Sequence, residues 1–89
     1  MANSILQNEC ECFFCKTTKA LHRHHIVNGG GNRQNSEDEG LWVYLCRKHH
    51  ERVHADQELD EALKRYAQKE YEKSHTHTEW MKTFHKNYL

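Results

Sequence analysis

Apolar residues are scarce in this sequence, and no long apolar run occurs. Only 36% of its 89 residues are hydrophobic, and the mean hydropathy is −1.10. A chain this short buries a small fraction of its surface on folding, and many such domains need a metal ion, disulfides or a partner. We therefore expect a single domain whose small apolar core needs additional support.

Two kinds of targeting segment are also missing. No stretch has the apolar length of a membrane span, and residues 1–7 lack the basic start and apolar run of a secretory signal. These absences predict a cytoplasmic protein without a membrane partner. Thiols stay reduced in that compartment, so clustered cysteines are expected to bind metal rather than to form disulfides.

Net charge is lacking as well. Thirteen basic residues balance thirteen acidic ones. Without a basic excess, tight nonspecific binding to DNA is disfavoured. Any contact with nucleic acid must therefore come from local clusters of side chains.

The remaining pattern divides the chain into three parts. Residues 1–8 are a polar lead-in, residues 9–55 are expected to form the core, and residues 56–89 are expected to form a helical extension packed on that core. Proline is absent, and the three adjacent glycines at 29–31 are the one flexible break.

The expected core contains two strands and a helix. Residues 20–27 are β-like, and the apolar run 41–45 predicts a second short strand. Residues 32–39 between them are polar and predict a loop, whereas residues 46–55 predict a helix. The order is therefore strand, loop, strand, helix.

Two further helices are predicted in the extension. Asp56 is a candidate N-cap for the first, and Thr76 followed by Glu79 resembles a capping box for the second. Each helix has an apolar face at helical spacing. These faces are formed by Leu59, Ala62, Leu63, Tyr66, Ala67 and Tyr71, and by Trp80, Phe84 and Tyr88.

Two pairs of soft ligands have the spacing of a zinc site. The pairs are Cys12 with Cys15 and Cys46 with His49. Zinc prefers four nitrogen or sulfur ligands in a tetrahedron, and each pair can supply two corners. We expect a structural zinc ion here. His50 is an alternative fourth ligand, and Cys10 is a spare thiol nearby.

The remaining histidines include a second constellation. His24 and His25 are adjacent at the end of the first predicted strand. His50 and His54 are four residues apart, so they share one face of the predicted helix. Such a group can form a second metal site that leaves positions open for water and substrate. The other histidines lack such partners and are expected to be surface residues or caps: His22, His75, His77 and His85.

Together these motifs resemble the HNH endonuclease family, whose fold is a ββα-metal motif. The resemblance rests on Cys12-x2-Cys15, on His24-His25-Ile26 before the glycines, and on Leu45-Cys46-x2-His49-His50 followed by His54. The segments HHIVNGGGNR, SEDEGLWVYLCRKHHERVH and F-x-KNYL are similar to small HNH-type proteins of phages and prophages. The implied fold class is α+β, a zinc-stabilised ββα-metal domain with C-terminal helices, acting in a bacterial host cell.

The resemblance also implies an activity and roles for residues. The family hydrolyses phosphodiester bonds of DNA, so an endonuclease or nickase is expected. His25 matches the general base that activates water. His24, His50 and His54 match the ligands of a catalytic divalent cation, such as Mg²⁺, Mn²⁺, Ni²⁺ or Zn²⁺.

One position differs from the family pattern. The family's central Asn lies at the start of the second strand, where this chain has Gly40 and Leu41. Asn32 or Asn35 could substitute, or the loop that carries the base could be held another way. Asn32, together with Arg33 and Arg47, is also a candidate contact for the phosphates of the substrate.

Two other functions remain open. The chain could keep the zinc-bound scaffold without catalysis and bind a host or phage protein through its C-terminal helices. The aromatic face of the last helix could form that surface or could pack on the domain. A sequence-specific DNA-binding module ranks last, because no recognition helix rich in Arg and Asn occurs. The sequence does not indicate the oligomeric state.

Overall fold

Six elements follow one another in the computed structural model, which describes residues 3–89. The fold is a small α+β domain with one two-stranded sheet and four helices. The strands are β1 (Leu21–His25) and β2 (Trp42–Cys46). The helices are α1 (Asn32–Glu39), α2 (Arg47–Ala55), α3 (Gln57–Tyr71) and α4 (His77–Phe84).

Helix α1 corrects one expectation, because residues 32–39 were predicted to form a loop. Its sequence lacks apolar periodicity, and Ser36 is its one buried residue. The Ser36 Oγ donates to the Val27 carbonyl at 2.5 Å and accepts the Val27 N–H at 3.2 Å. Gly40 closes the helix in the left-handed conformation (φ 72°). The contact with Val27 and the Gly40 cap therefore help to hold a helix that has almost no apolar face.

The two predicted strands are present, and their register decides which way the adjacent histidines point. β1 pairs antiparallel with β2, with His24 opposite Val43 and His25 opposite Trp42. Side chains alternate between the two faces of a sheet. His24 therefore points toward α2, whose His50 ring lies 5.3 Å from its own, whereas His25 points to the other face.

Both helices of the extension begin directly after the residues predicted to be their N-caps. The Asp56 Oδ1 accepts the Leu59 N–H at 3.1 Å, and the Thr76 Oγ1 accepts the Glu79 N–H at 3.1 Å. The predicted stripe of α3 is only partly buried. Leu63, Ala67 and Tyr71 are buried and Leu59 is half-buried, but Ala62 and Tyr66 are exposed, and Gln68 is buried instead.

The aromatic face of α4 packs into the domain. Trp80 is fully buried, and its ring contacts those of Tyr71 and Phe84 at 5.5 and 4.4 Å. Buried Gln68 donates to the Asn87 Oδ1 and accepts the Tyr88 N–H, which ties the chain end to α3. These aromatics share one buried cluster with the two strands. A protein partner at these helices stays a prediction, and Trp80 has no exposed surface to offer it.

The N-terminal residues also pack, although they were expected to be only a polar lead-in. Leu6 is buried, the Ser4 Oγ donates to the Trp42 carbonyl at 2.6 Å, and the Ile5 N–H donates to the Gly40 carbonyl at 2.9 Å. Among the described residues, no helix combines the length and the apolar character that crossing a bilayer requires.

The contact at Gly40 gives a test of this packing. A Cβ at Gly40 would lie 2.3 Å from the Asn3 carbonyl oxygen in a left-handed backbone, whereas a Cβ at Gly30, also left-handed, would meet nothing within 4 Å. We expect Gly30→Ala to cost about 1–2 kcal/mol of unfolding free energy from backbone strain. Gly40→Ala should cost about 1–3 kcal/mol more through overpacking.

Urea denaturation of the two variants and the wild type measures this difference. Equal destabilisation by both substitutions would show that the N-terminal segment does not press on Gly40.

Candidate metal centres

The first candidate centre is a cluster of three thiols and one imidazole. Cys12, Cys15, Cys46 and His49 each offer a ligand atom, and these atoms all lie within 4.8 Å of one another. The Sγ atoms of Cys15 and Cys46 are 3.8 Å apart. A tetrahedral ion with metal–sulfur bonds of about 2.3 Å holds two sulfurs about 3.8 Å apart. The cluster therefore could bind a metal ion without moving its backbone far.

A tight turn of backbone presents the first pair of thiols. The Cys12 N–H donates to the Thr17 carbonyl at 2.8 Å, and the Lys16 N–H donates to the Cys12 carbonyl at 3.0 Å. Lys16 adopts a left-handed conformation (φ 67°) that closes the turn. The Phe13 N–H donates to the Tyr44 carbonyl at 2.8 Å, so the turn is also attached to β2.

The second pair comes from the junction of β2 with α2. Cys46 ends the strand and is the N-cap of the helix, and His49 lies in the first turn. The His49 Nδ1 is 3.2 Å from the Cys46 Sγ and 3.5 Å from the Cys12 Sγ. His49, rather than the alternative His50, is thus the fourth member of this cluster. Cys10 is exposed and lies outside it.

The electrostatics of Cys12 favour the form that binds metals. Burial raises the pKa of its thiol, but backbone hydrogen bonds from Cys15, Cys46 and Phe14 outweigh burial and lower that pKa to about 6. A thiolate is the ligand form of cysteine. At neutral pH the lowered pKa therefore favours the thiolate of Cys12, which is the form that binds a cation.

The second candidate centre joins β1 to α2. His24, His50 and His54 each offer a nitrogen, and the three nitrogens lie within 4.8 Å of one another. The Nε2 atoms of His50 and His54 are 3.1 Å apart, because residues four apart share one face of a helix. The sequence predicted this juxtaposition, and the structure brings the three rings together.

His24 carries the clearest sign that this centre takes a ligand. Its side chain is 3% exposed, and its Nε2 has no hydrogen-bond partner among residues 3–89. A buried polar atom without a partner costs about 1–3 kcal/mol. Burial, together with His50 and His54, lowers the pKa of His24 to about 4. The ring is therefore neutral at pH 7, the form in which imidazole binds metals.

His22 is a member of this region that the sequence prediction missed. It is exposed, in keeping with the expectation of a surface residue or cap, but its Nδ1 lies 3.0 Å from the Nδ1 of His50. The alternation of β1 places His22 on the same face as His24, opposite Leu45. The sequence did contain a signal for this position, because His22 and His24 lie two residues apart, which is the period of a strand.

His25 lies on the other face of the sheet and has a carboxylate partner. Its Nε2 lies 2.8 Å from the Glu37 Oε1, and both side chains are almost buried. Glu37 also accepts two hydrogen bonds from Arg23, at 3.1 and 2.9 Å. Hydrogen bonds from His25 and then Arg23 outweigh burial and lower the pKa of Glu37. The sequence prediction missed Glu37 because it assigned residues 32–39 to a loop.

One cleft connects the two faces. It has a volume of about 310 Å³, and its lining includes both adjacent histidines because they end β1, where the sheet no longer separates its two sides. The lining residues are Arg23, His24, His25, Asn28, Arg33, His50 and His54.

The three predicted phosphate contacts separate in the structure. Arg33 lines the cleft. Arg47 is instead exposed and pairs with Glu51 at 3.3 Å, one turn along α2. Asn32 begins α1 and does not line the cleft, so the expectations for Asn32 and Arg47 lack support from the geometry.

Neither asparagine considered as a substitute for the family's Asn reaches His25. Asn35 donates to the Thr83 carbonyl at 3.2 Å and so ties α1 to α4. The Asn32 N–H donates to the Gly29 carbonyl and closes a turn of the glycine segment. The partner of His25 in this chain is Glu37.

Comparison with known protein families, curated proteins and solved structures finds no match for this chain. Arguments about its function therefore rest on the residues and their geometry.

The Cys–His cluster gives a prediction about folding. Cys12→Ser should abolish cooperative thermal unfolding and the bound metal, because metal binding to such a site supplies folding free energy. Cys10→Ser is the matched control, and it should change stability by less than about 0.5 kcal/mol. Elemental analysis and circular dichroism, with and without a chelator, measure both effects. A chelated protein that keeps its helical signal and its sharp transition would contradict the prediction.

The histidine centre gives a second prediction. Protein saturated at the Cys–His cluster should bind one further equivalent of Co²⁺ or Ni²⁺ in a calorimetric titration. His54→Ala should weaken that binding by more than the 10–100-fold that loss of an outer partner typically costs. His77→Ala removes an imidazole outside both clusters and should leave the affinity unchanged. Equal affinities in the two variants would exclude His54 as a ligand.

Proposed function

We propose that this chain is a metal-dependent nuclease of the HNH type that hydrolyses phosphodiester bonds of DNA. The observation that carries the proposal is the buried, unpartnered Nε2 of His24, which lies with His50 and His54 at a cleft that His25 also lines. Phosphodiester hydrolysis needs a group that binds a cation and, beside it, a base that can take a proton from water. The three histidines would be the first and the imidazole of His25 the second.

The Cys–His cluster is assigned to zinc in this proposal. Three thiolates and one imidazole form a donor set typical of structural zinc sites, which have no open position. The cluster connects the N-terminal turn to the start of α2. Its role is to fix the direction in which α2 presents His50 and His54.

The histidine centre is assigned to the catalytic divalent cation. Three imidazoles leave coordination positions for a phosphate oxygen and water, and they suit transition metals such as Zn²⁺, Ni²⁺ or Mn²⁺ better than Mg²⁺. When bound, the cation would offset negative charge on the phosphate and on the departing oxygen.

His25 is assigned the role of general base. A water molecule in the cleft attacks phosphorus as His25 takes one of its protons, and the bond from phosphorus to the leaving oxygen breaks. The products are a phosphate monoester and a free hydroxyl, which receives its proton from solvent. Arg33 lines the same cleft and supplies a positive charge for the phosphate.

The order of elements supports the same proposal. β1 supplies His24 and His25, β2 ends at Cys46, and α2 supplies His49, His50 and His54. Apart from α1, which lies between the two strands, this is the strand–strand–helix order expected from the resemblance to the HNH family. The position of the family's Asn is taken by Gly40, which serves as the C-cap of α1.

A plasmid-nicking assay tests the function. Wild-type protein supplied with Mn²⁺, Ni²⁺ or Mg²⁺ should convert supercoiled plasmid to the nicked form. His25→Ala should lower the rate by about 10²–10⁴-fold, the usual contribution of a general base, while still binding the second metal equivalent. His75→Ala, which removes an imidazole from the side of Tyr71, serves as the control.

Two results would contradict the proposal. One is a folded, metal-loaded wild type that never cleaves DNA with any of these cations. The other is His25→Ala protein that cleaves at the wild-type rate.

A further inference from the structure

Helix α1 has a consequence for the proposed chemistry, because it delivers a carboxylate to His25. Ser36 is locked onto Val27, the second residue after His25 in the chain. That lock fixes the rotation of the helix, and the next residue, Glu37, faces the outer side of β1. The glycines at 29–31 allow the chain to reverse direction between His25 and the helix.

The hydrogen bond between Glu37 and His25 determines where the imidazole carries its proton. An ionised carboxylate only accepts hydrogen bonds, and the hydrogen bonds that Glu37 receives from His25 and Arg23 keep its pKa low. The Nε2 of His25, 2.8 Å away, must therefore carry the hydrogen. The lone pair of the neutral ring then resides on Nδ1, which makes no hydrogen bond within residues 3–89.

Arg23 holds the carboxylate in place on its other side. It donates to both oxygens of Glu37. Its guanidinium also lies 3.8 Å from the centre of the Trp42 ring. Both hydrogen bonds come from one nitrogen, Nη1, and together with the aromatic surface they restrict the guanidinium more than either contact alone. Glu37 therefore has little freedom to turn away from His25.

We propose that Glu37 is a positioning residue that fixes His25 in the Nε2–H tautomer, with Nδ1 as the atom that accepts the proton from water. The inference rests on the proposed nuclease function. Glu37 does this from helix α1, in a chain that has Gly40 at the position of the family's Asn. As water attacks phosphorus, Nδ1 gains a proton, the ring becomes a cation, and the carboxylate of Glu37 stabilises that charge while keeping its own proton state.

The substitution Glu37→Gln discriminates this role from a structural one. The shape and packing of residue 37 are preserved, but its negative charge is lost. Where the amide NH₂ takes the place of Oε1, it donates to Nε2 and moves the ring hydrogen to Nδ1. Where the amide oxygen takes that place, it accepts from both His25 and Arg23 as Oε1 does, so Nε2–H persists, but the cationic ring loses the carboxylate that stabilises it. Asp38→Asn removes a charge from the next, exposed residue of α1 and is the matched control.

Two measurements on these variants test the proposal. Long-range ¹H–¹⁵N spectra of zinc-loaded protein at pH 8 report which nitrogen of His25 carries hydrogen. They should show Nε2–H in the wild type and in Asp38→Asn, and Nδ1–H or a mixture in Glu37→Gln. Nicking kinetics should show a fall in kcat of about 10³-fold or more in Glu37→Gln, as expected for a wrong tautomer. KM should stay within about threefold.

Glu37→Ala is the second variant in case the glutamine protein folds poorly. It leaves Nε2–H without its acceptor, so a mixture of tautomers and a similar fall in kcat are expected. A wild-type ring with its hydrogen on Nδ1 would overturn the proposal without any variant. So would a folded Glu37→Gln protein that keeps both the Nε2–H tautomer and the wild-type kcat. A wild type that never nicks DNA would remove the nuclease function, while the spectra would still decide whether Glu37 positions His25.

Discussion

The close approach of four ligand atoms in the Cys–His cluster is the constraint on which the rest of the candidate site depends. Cys12 and Cys15 come from an irregular turn, and Cys46 and His49 come from the start of α2. An ion shared by these two segments would fix where α2 begins and how it is rotated. His50 follows the last ligand directly, and His54 follows one turn later. The geometry of the second centre would therefore depend on that of the first.

The candidate ligands could be predicted from the sequence because spacing alone carries the information. Two residues between Cys12 and Cys15, and four from His50 to His54, translate directly into shared corners or shared helix faces. The capping roles of Asp56 and Thr76 could be predicted equally well, since an N-cap is a local interaction between a side chain and the backbone three residues on. Each of these signals lies within five residues of sequence.

Helix α1 and its carboxylate could not be predicted in this way. The helix has no apolar stripe, and its support comes from Val27, nine residues before Ser36. The contact between Glu37 and His25 spans twelve residues. The contact between His22 and His50 spans twenty-eight residues, and only the spacing of His22 from His24 in the same strand pointed to it. Contacts of this kind follow from the tertiary fold and leave no period in the sequence.

The alternation of β1 explains how two adjacent histidines can have different roles. His24 points to the face of α2 and His25 to the face of α1, and only the end of the strand lets both reach one cleft. A slip of one residue in the register would exchange the two side chains.

The register is fixed beyond the last strand pair by the Ile26 N–H, which donates to the Leu41 carbonyl at 3.0 Å. It is pinned again by the lock between Ser36 and Val27. Gly40 lies between these two contacts in the chain, so the contacts that place it under the N-terminal segment also help to keep His24 and His25 on their separate sides.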